Sequence, residues 1–285
     1  MRFHIPTAEL FVPDGAAASA ALARTTHMAV SAHQDDLEIM AYHGIQACFQ
    51  REDQWFLGVV ATDGAGSARD GLYRNYTDEQ MKGVRRKEQK KAAIIGEFGA
   101  CALLDYPSSA LKQATDARAK EDLVALLAAA RPGVVYTHNL ADKHDTHVAV
   151  ALRTLAALRS LPQEQRPARF LGCEVWRDLD WLTDEDKLPL DVSGQENLQA
   201  ALLGVFDSQI SGGKRYDLAT LGRRKAHASY HATHGVDATT GLTFAMDLTP
   251  LLLDDHLEPA DFTRALIARF EGEVSSRVTS LQNRD

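Results

Sequence analysis

The sequence predicts an α/β protein, a Rossmann-like three-layer sandwich with a mostly parallel central sheet, and three observations predict it. Short continuous apolar runs alternate with segments of helical apolar period, the alternation persists from His27 to Val175, and the polar clusters fall directly after apolar runs. Strand and helix in strict alternation imply parallel strands joined by right-handed crossovers, with helices on both faces of the sheet.

The elements follow in order. His27 to Ala32 reads as a buried strand ending at the polar cluster His33 to Asp36, and Leu37, Met40, Ala41, Gly44 and Cys48 then share one helical face. Trp55 to Ala61 is the second strand, followed by the turn-rich loop TDGAGSARDG and a helix marked by Met81, Val84, Ala92 and Ile95. Cys101 to Leu104 reads as the third strand. Leu123, Val124, Leu127 and Ala130 define a helix that stops at Arg131, Pro132 and Gly133, and Val134 to Thr137 forms the fourth strand. The polar loop HNLADKHDTH leads into a helix with Val148, Leu152, Leu155 and Arg159 at helical spacing, and Phe170 to Val175 is strand-like. Beyond Trp176 the pattern loosens: DLDWLTDEDK is an acidic loop, Leu188 to Val192 a short strand, and Asn197 to Phe206 a helix. Leu242 to Leu248 is a further strand, and Phe262, Leu266 and Phe270 mark a closing helix.

Composition bounds the function. With 285 residues and 45% hydrophobic content the chain can bury a full core as one domain. A net charge of −8 supplies no basic excess to displace counterions from a phosphate backbone, so nucleic acid is excluded as the expected partner. Cys48, Cys101 and Cys173 are widely spaced, form no CxxC pair, and read as buried thiols of a reduced compartment. No apolar stretch is long enough to span a bilayer, and the N-terminus breaks its apolar character with prolines and acids, so a cytoplasmic protein without membrane contact is expected. The partner expected is a small molecule; a homo-oligomer is compatible with the sequence.

The chemistry sits in two clusters. In parallel α/β sheets ligands bind at the carboxyl ends of strands, so His33 to Asp36 and His138 to His147, each directly after a strand, are expected at one edge. His33 and Asp36, three residues apart, can reach one ion from a turn entering a helix, and Asp35 then points elsewhere, free to take a proton from water. His144 and His147 are candidates for the remaining ligand, and His147 would complete a His-Asp-His set with a coordination position left open. Each piece has a bland reading. Acids at a helix start cap it, a lone histidine is more often a surface group, and the GAGS loop completes no phosphate-cradle pattern.

SAHQDDLE resembles the AHPDDxE signature of the PIG-L (LmbE-like) family of zinc-dependent N-deacetylases. ADKHDTH resembles the family's DRHPDH signature, and RRKEQKKAAIIGEFG its R-K-E helix, in the same order. The similarity spans Met28 to Leu158, leaving residues 1–26 as an N-terminal extension and 176–285 as a less well matched part of a single domain over 1–285. The resemblance implies one zinc ion per chain, held by His33, Asp36 and His147. It implies Asp35 as general base, His144 as a group assisting the transition state, Arg86 near the substrate, and Glu88 as a residue that orients Arg86 or packs against the helix. The expected activity is removal of an acetyl or acyl group from a nitrogen by activated water, with a cationic His144 at the oxyanion.

Three positions depart from the family pattern. Gln34 replaces the proline, which is expected to loosen the backbone after His33, and Thr146 stands where an aspartate is usual, with Asp145 one position earlier. Ser108 occupies the region where relatives acting on sugars carry a substrate-binding aspartate, so an amino-sugar substrate does not follow. Nearer the C-terminus, Arg223, Arg224, His227, His231 and His234 form a polar cluster; Arg224 and His231 are candidate substrate contacts, against the alternative of a polar helix face capped by Gly235. Two rival functions remain: a metal-dependent hydratase of a small unsaturated acid, and a non-catalytic Rossmann-like binding module.

Overall fold

The structure is a computed structural model and describes residues 1–282. Among these, eight strands form one sheet: β1 (Glu9–Phe11), β2 (His27–Ser31), β3 (Phe56–Thr62), β4 (Ala100–Tyr106), β5 (Val134–His138), β6 (Arg169–Cys173), β7 (Lys187–Asp191) and β8 (Leu242–Asp247). Their order across the sheet is β1-β4-β3-β2-β5-β6-β8-β7. The strands from β4 to β6 are mutually parallel, whereas β1 pairs antiparallel with β4, and β8 antiparallel with both β6 and β7. The mostly parallel α/β sandwich expected from the sequence is therefore present.

The helices in chain order are α1 (Ala18–Ala23), α2 (Asp36–Met40), α3 (Tyr42–Cys48), α4 (Asp78–Ile95), α5 (Ser108–Lys112) and α6 (Arg118–Ala130). They continue with α7 (Asp145–Arg159), α8 (Glu196–Gly204), α9 (Asp207–Ile210), α10 (Tyr216–Tyr230), α11 (Pro250–Leu253) and α12 (Pro259–Gln282). The sheet has helices on both sides because its central strands are apolar on both. All of β3 is buried; its Leu57, Val59 and Ala61 pack with residues of α1, α6 and α7, while Phe56 and Val60 pack with α2, α3 and α4. Each leucine, valine and phenylalanine among them that is removed from water stabilises the fold by about 1.5–3 kcal/mol, which commits β3 to the centre of the sheet. Gly58 lets α2 approach, since a Cβ there would meet Leu37 Cδ1 at 2.7 Å and the Phe98 ring at 3.2 Å. α4 starts at a reciprocal cap: Thr77 Oγ1 accepts from the Gln80 N–H at 3.3 Å, and Gln80 Oε1 accepts from the Thr77 N–H at 2.8 Å.

The chain builds β2, β3 and β4 outward in one direction, then returns to lay β5 and β6 on the other side of β2. The reversal lies between β2 and β5, and it opens a crevice beyond their carboxyl ends. Both histidine-rich segments start there.

Three local features differ from the sequence expectation. Residues 1–26 contribute a strand and a helix, β1 and α1, to the layers. The helix expected from Leu37 to Cys48 is two helices, broken at Ala41, whose φ of −113° and ψ of 19° leave the helical region. α10 ends at Tyr230 with His231 as its C-cap, so Gly235 lies beyond the helix and does not cap it. At the far edge of the sheet β7 carries exposed Pro189 and Asp191. Cys48, Cys101 and Cys173 are free and buried, and no described helix is long and apolar enough to cross a membrane.

Candidate metal centre

β2 delivers its last side chains to the crevice through a tight turn. Asp35 takes a φ of 88°, a left-handed backbone that costs a non-glycine residue of order 1–3 kcal/mol, and α2 starts at the next residue. Hydrogen bonds hold the turn in that shape. The Gln34 amide donates from Nε2 to Thr62 O at 3.0 Å, the buried Arg85 guanidinium donates to Gln34 O, and the Asp35 N–H donates to Gln89 Oε1 at 3.4 Å. Gln34 therefore pins the segment where the family proline would stiffen it, contrary to the looser backbone expected. Gly64, at a φ of 75°, keeps the opposite wall clear, because a Cβ there would meet Gln34 Oε1 at 2.7 Å and Arg85 Cγ at 3.0 Å.

Three potential ligand atoms meet at this turn. His33 Nδ1 lies 3.2 Å from Asp36 Oδ2 and 3.2 Å from His147 Nε2, and His147 Nε2 lies 3.4 Å from Asp36 Oδ2. Ligands at about 2.0–2.1 Å from a tetrahedral zinc are separated by about 3.3–3.4 Å, so the donor set fits that ion in both chemistry and spacing. Asp36 Oδ2 also accepts the His33 N–H at 2.7 Å, which fixes the carboxylate before any ion binds. Burial opposes the Asp36 charge, but His147, the His33 hydrogen bond and His138 outweigh it and hold the carboxyl far below the usual carboxylate range.

His147 is fully buried on the first turn of α7. Asp142 Oδ2 stands 3.5 Å from its Nδ1, the arrangement that orients a ligating imidazole and raises its basicity. The same carboxylate accepts the Trp176 N–H at 3.1 Å through Oδ2 and the His144 N–H at 2.9 Å through Oδ1. Burial works against the charged form of His147, yet Asp36 and Asp142 together raise its pKa. His138, the last residue of β5, stacks on His147 at a centroid distance of 3.9 Å, and its Nε2 accepts the Ala32 N–H at 2.9 Å. That bond ties the end of β2 to the end of β5. Neither Asp142 nor His138 was singled out from the sequence; His138 was visible only as the first residue of its cluster.

The centre lies in a cleft of ≈390 Å³ lined by Asp35, Arg85, Ser108 and His144, among others. Asp35 does not join the ligand triangle. Its Oδ1 lies 3.4 Å from Arg85 Nη2, and burial raises its pKa, with Arg85 opposing and Asp36 adding to the rise. His144 caps α7 by accepting the Thr146 N–H on Nδ1 at 3.3 Å, which leaves Nε2 to carry the proton of the neutral ring. Burial, then His147 and His33, lower its pKa, which works against the cationic form expected of it.

The other expected contacts fall elsewhere. Arg86 points away from the cleft and pairs with Glu9 at 2.9 Å and Asp105 at 3.0 Å, while its neighbour Arg85 lines the wall. Glu88 orients Arg85 rather than Arg86, at 3.5 Å from Nη1, and anchors α9 by accepting from the Ser208 N–H at 2.8 Å and hydroxyl at 2.7 Å. Arg224 is buried behind α2, donating to Glu38 O at 2.8 Å, Ile39 O at 3.0 Å and Gln199 Oε1 at 2.8 Å. His231 packs 5.5 Å from the Phe244 ring, away from the lining.

Residues 28–158 match the family model described as PIG-L: GlcNAc-PI de-N-acetylase, the family whose signatures the two clusters resemble. A search of curated proteins gives no match. Among solved structures, the chain is similar to the 4-carboxy-2-hydroxymuconate hydratase from Pseudomonas putida, with 15% identity and a TM-score of 0.60 over 79% of this chain and 95% of that one. It is similar to a conserved protein from Thermus thermophilus, with 18% identity and a TM-score of 0.59 over 81% and 98% of the two chains. It is also similar to the N,N'-diacetylchitobiose deacetylase from Pyrococcus horikoshii, with 14% identity and a TM-score of 0.57 over 78% and 83%. At such identities the likeness is one of fold.

Proposed function

From the PIG-L match over residues 28–158, we propose that this chain is a zinc-dependent amide hydrolase that removes an acetyl or related acyl group from the nitrogen of a small molecule. The observation that carries the reading is the triangle of His33 Nδ1, Asp36 Oδ2 and His147 Nε2, with sides of 3.2, 3.2 and 3.4 Å, beside a carboxylate outside it. One zinc ion held by these residues supplies Lewis-acid polarisation of the acyl carbonyl and lowers the pKa of water to about 7.

The remaining chemistry belongs to side chains. Asp35 accepts a proton as water adds to the acyl carbon, and the raised pKa that burial gives it suits a group that must then release the proton to the departing nitrogen. His144, its Nδ1 engaged by the Thr146 N–H, donates from Nε2 to the oxygen that gains charge. Arg85 keeps Asp35 in place from the cleft wall. The carbon–nitrogen bond breaks, and a carboxylic acid and a free amine leave.

Two observations favour a second reading, hydration of a small unsaturated acid. Lys112 and Lys214 put positive charge on the cleft, and the fold resembles that of a 4-carboxy-2-hydroxymuconate hydratase. One sample separates the readings. Metal content is measured, acetate release is followed over a panel of N-acetylated compounds that includes amino sugars, and the absorbance of unsaturated dicarboxylic acids is monitored. The hydrolase reading expects about one zinc per chain and acetate release; bleaching of the unsaturated acids without acetate from any amide would replace it with the hydratase. Zinc-free protein after incubation with the metal would remove both.

A further inference from the structure

The cleft continues past the metal centre. Ile39, Val175, Trp176, Lys214 and Tyr216 are walls that it shares with an adjoining lobe of ≈320 Å³. The walls are flat and apolar where Trp176 and Tyr216 meet edge to face, with ring centroids 5.9 Å apart and planes at 86°. Lys214 Nζ lies 4.4 Å from the Trp176 centroid and Lys143 Nζ 5.7 Å from it, while Lys112 lines the metal-side lobe.

None of these three ammonium groups has a carboxylate at ion-pair distance among the described residues. Their charge is not neutralised by the protein as that of Lys82, Lys90 and Lys187 is, each of which has an acidic partner. An ammonium resting on a ring face keeps part of its hydrogen-bonding capacity for a ligand, and unpaired cations at a cleft of an acidic protein concentrate the field that draws anions in.

Resting on the reading of this cleft as a substrate site, we infer that the substrate carries a flat, apolar, aromatic-like group bearing a carboxylate or phosphate. That group occupies the second lobe beside Trp176 and Tyr216, with its anion within reach of Lys214, while the reacting centre lies against His33, Asp36 and His147. A neutral N-acetylated sugar leaves Lys214 without a partner, whereas an aryl anion satisfies the ring and the charge together.

The test is calorimetric titration of the metal-loaded protein with phenyl phosphate, benzoate and phenol. At least one anion is expected to bind about tenfold or more tightly than phenol, more weakly as salt rises, and which anion binds better tells phosphate from carboxylate. Lys214→Glu should lose that preference and Lys214→Arg should keep it, with Lys214→Gln as a milder variant should the charge reversal lower the melting temperature. Equal binding of phenol and both anions overturns the inference, and so does anion binding that Lys214→Gln and Lys214→Glu leave unchanged. The titration needs no turnover. Anion binding through Lys214 without acetate release would remove the hydrolase and keep the lobe, while hydrolysis of neutral amides with no anion preference would do the reverse.

Discussion

Neighbouring residues with the same chemistry part company here, and the backbone decides between them. Asp35 and Asp36 are adjacent carboxylates, yet the left-handed turn at Asp35 sends one to Arg85 and the next to three histidines. Asp35→Asn is expected to keep its zinc and lose about 10²–10⁴-fold in turnover, checked by metal analysis and acetate release on one preparation; near-normal turnover would show that the base lies elsewhere. Asp142→Ala is expected to weaken zinc binding by about 10–100-fold in a chelator competition, because His147 loses the carboxylate that aligns it. Unchanged affinity would reduce Asp142 to its backbone bonds. The sequence showed His33, Asp36 and His147 because ligand types stand out in a short motif. It did not distinguish Asp142 from Asp145, since two acids in one polar loop differ only once the loop is folded. Arg85 could have been chosen over Arg86: Met81, Arg85, Glu88 and Ala92 share one helical face, and that face is buried.

At the scale of elements, apolar runs were legible where burial is complete and obscure where it is partial. β3, buried along its whole length, was plain in FLGVVAT, whereas β1 has three half-buried residues that owe their conformation to β4 rather than to their own pattern. The break between α2 and α3 was hidden for a related reason. The apolar face runs through Ala41 without interruption, so periodicity cannot report a change of axis there. The approach of α2 to β3 makes a specific prediction. Gly58→Ala inserts a methyl where Leu37 and Phe98 already touch, and should lower stability by about 1–3 kcal/mol in a denaturant titration. Because Leu37 directly follows the turn that carries His33 and Asp36, the same variant should also weaken the zinc binding proposed for that turn; full stability would mean that α2 shifts without cost.

Across the whole molecule, topology brings together residues more than 100 positions apart: the reversal of strand order between β2 and β5 sets His33 against His147. The opposite ends of the same two strands carry a different titratable group. His27, at the start of β2, lies 3.1 Å from the Tyr136 hydroxyl, and burial, with His43 adding, lowers its pKa to about 4 from 6.5. A depressed histidine pKa means that the unfolded chain binds the proton first. The stability it contributes is present in full above pH 6.5 and is lost as pH falls toward 4, by up to about 3 kcal/mol. Measured against His27→Gln, wild type should lose its relative stability over that window, and parallel curves would refute the assignment. Its distance from the cleft predicts that this acid loss leaves the pH profile of turnover unaffected.

The two margins of the sheet carry a consequence of their own. β1 offers only three residues, and β7 presents Pro189, which has no N–H to give, beside the charge of Asp191. A strand arriving from another molecule finds too short a ladder on one side and a missing rung on the other, so the sheet cannot be extended in register. The eight-stranded sheet thus ends where it does by construction, and a preparation of the folded protein should resist the edge-to-edge aggregation to which open parallel sheets are prone.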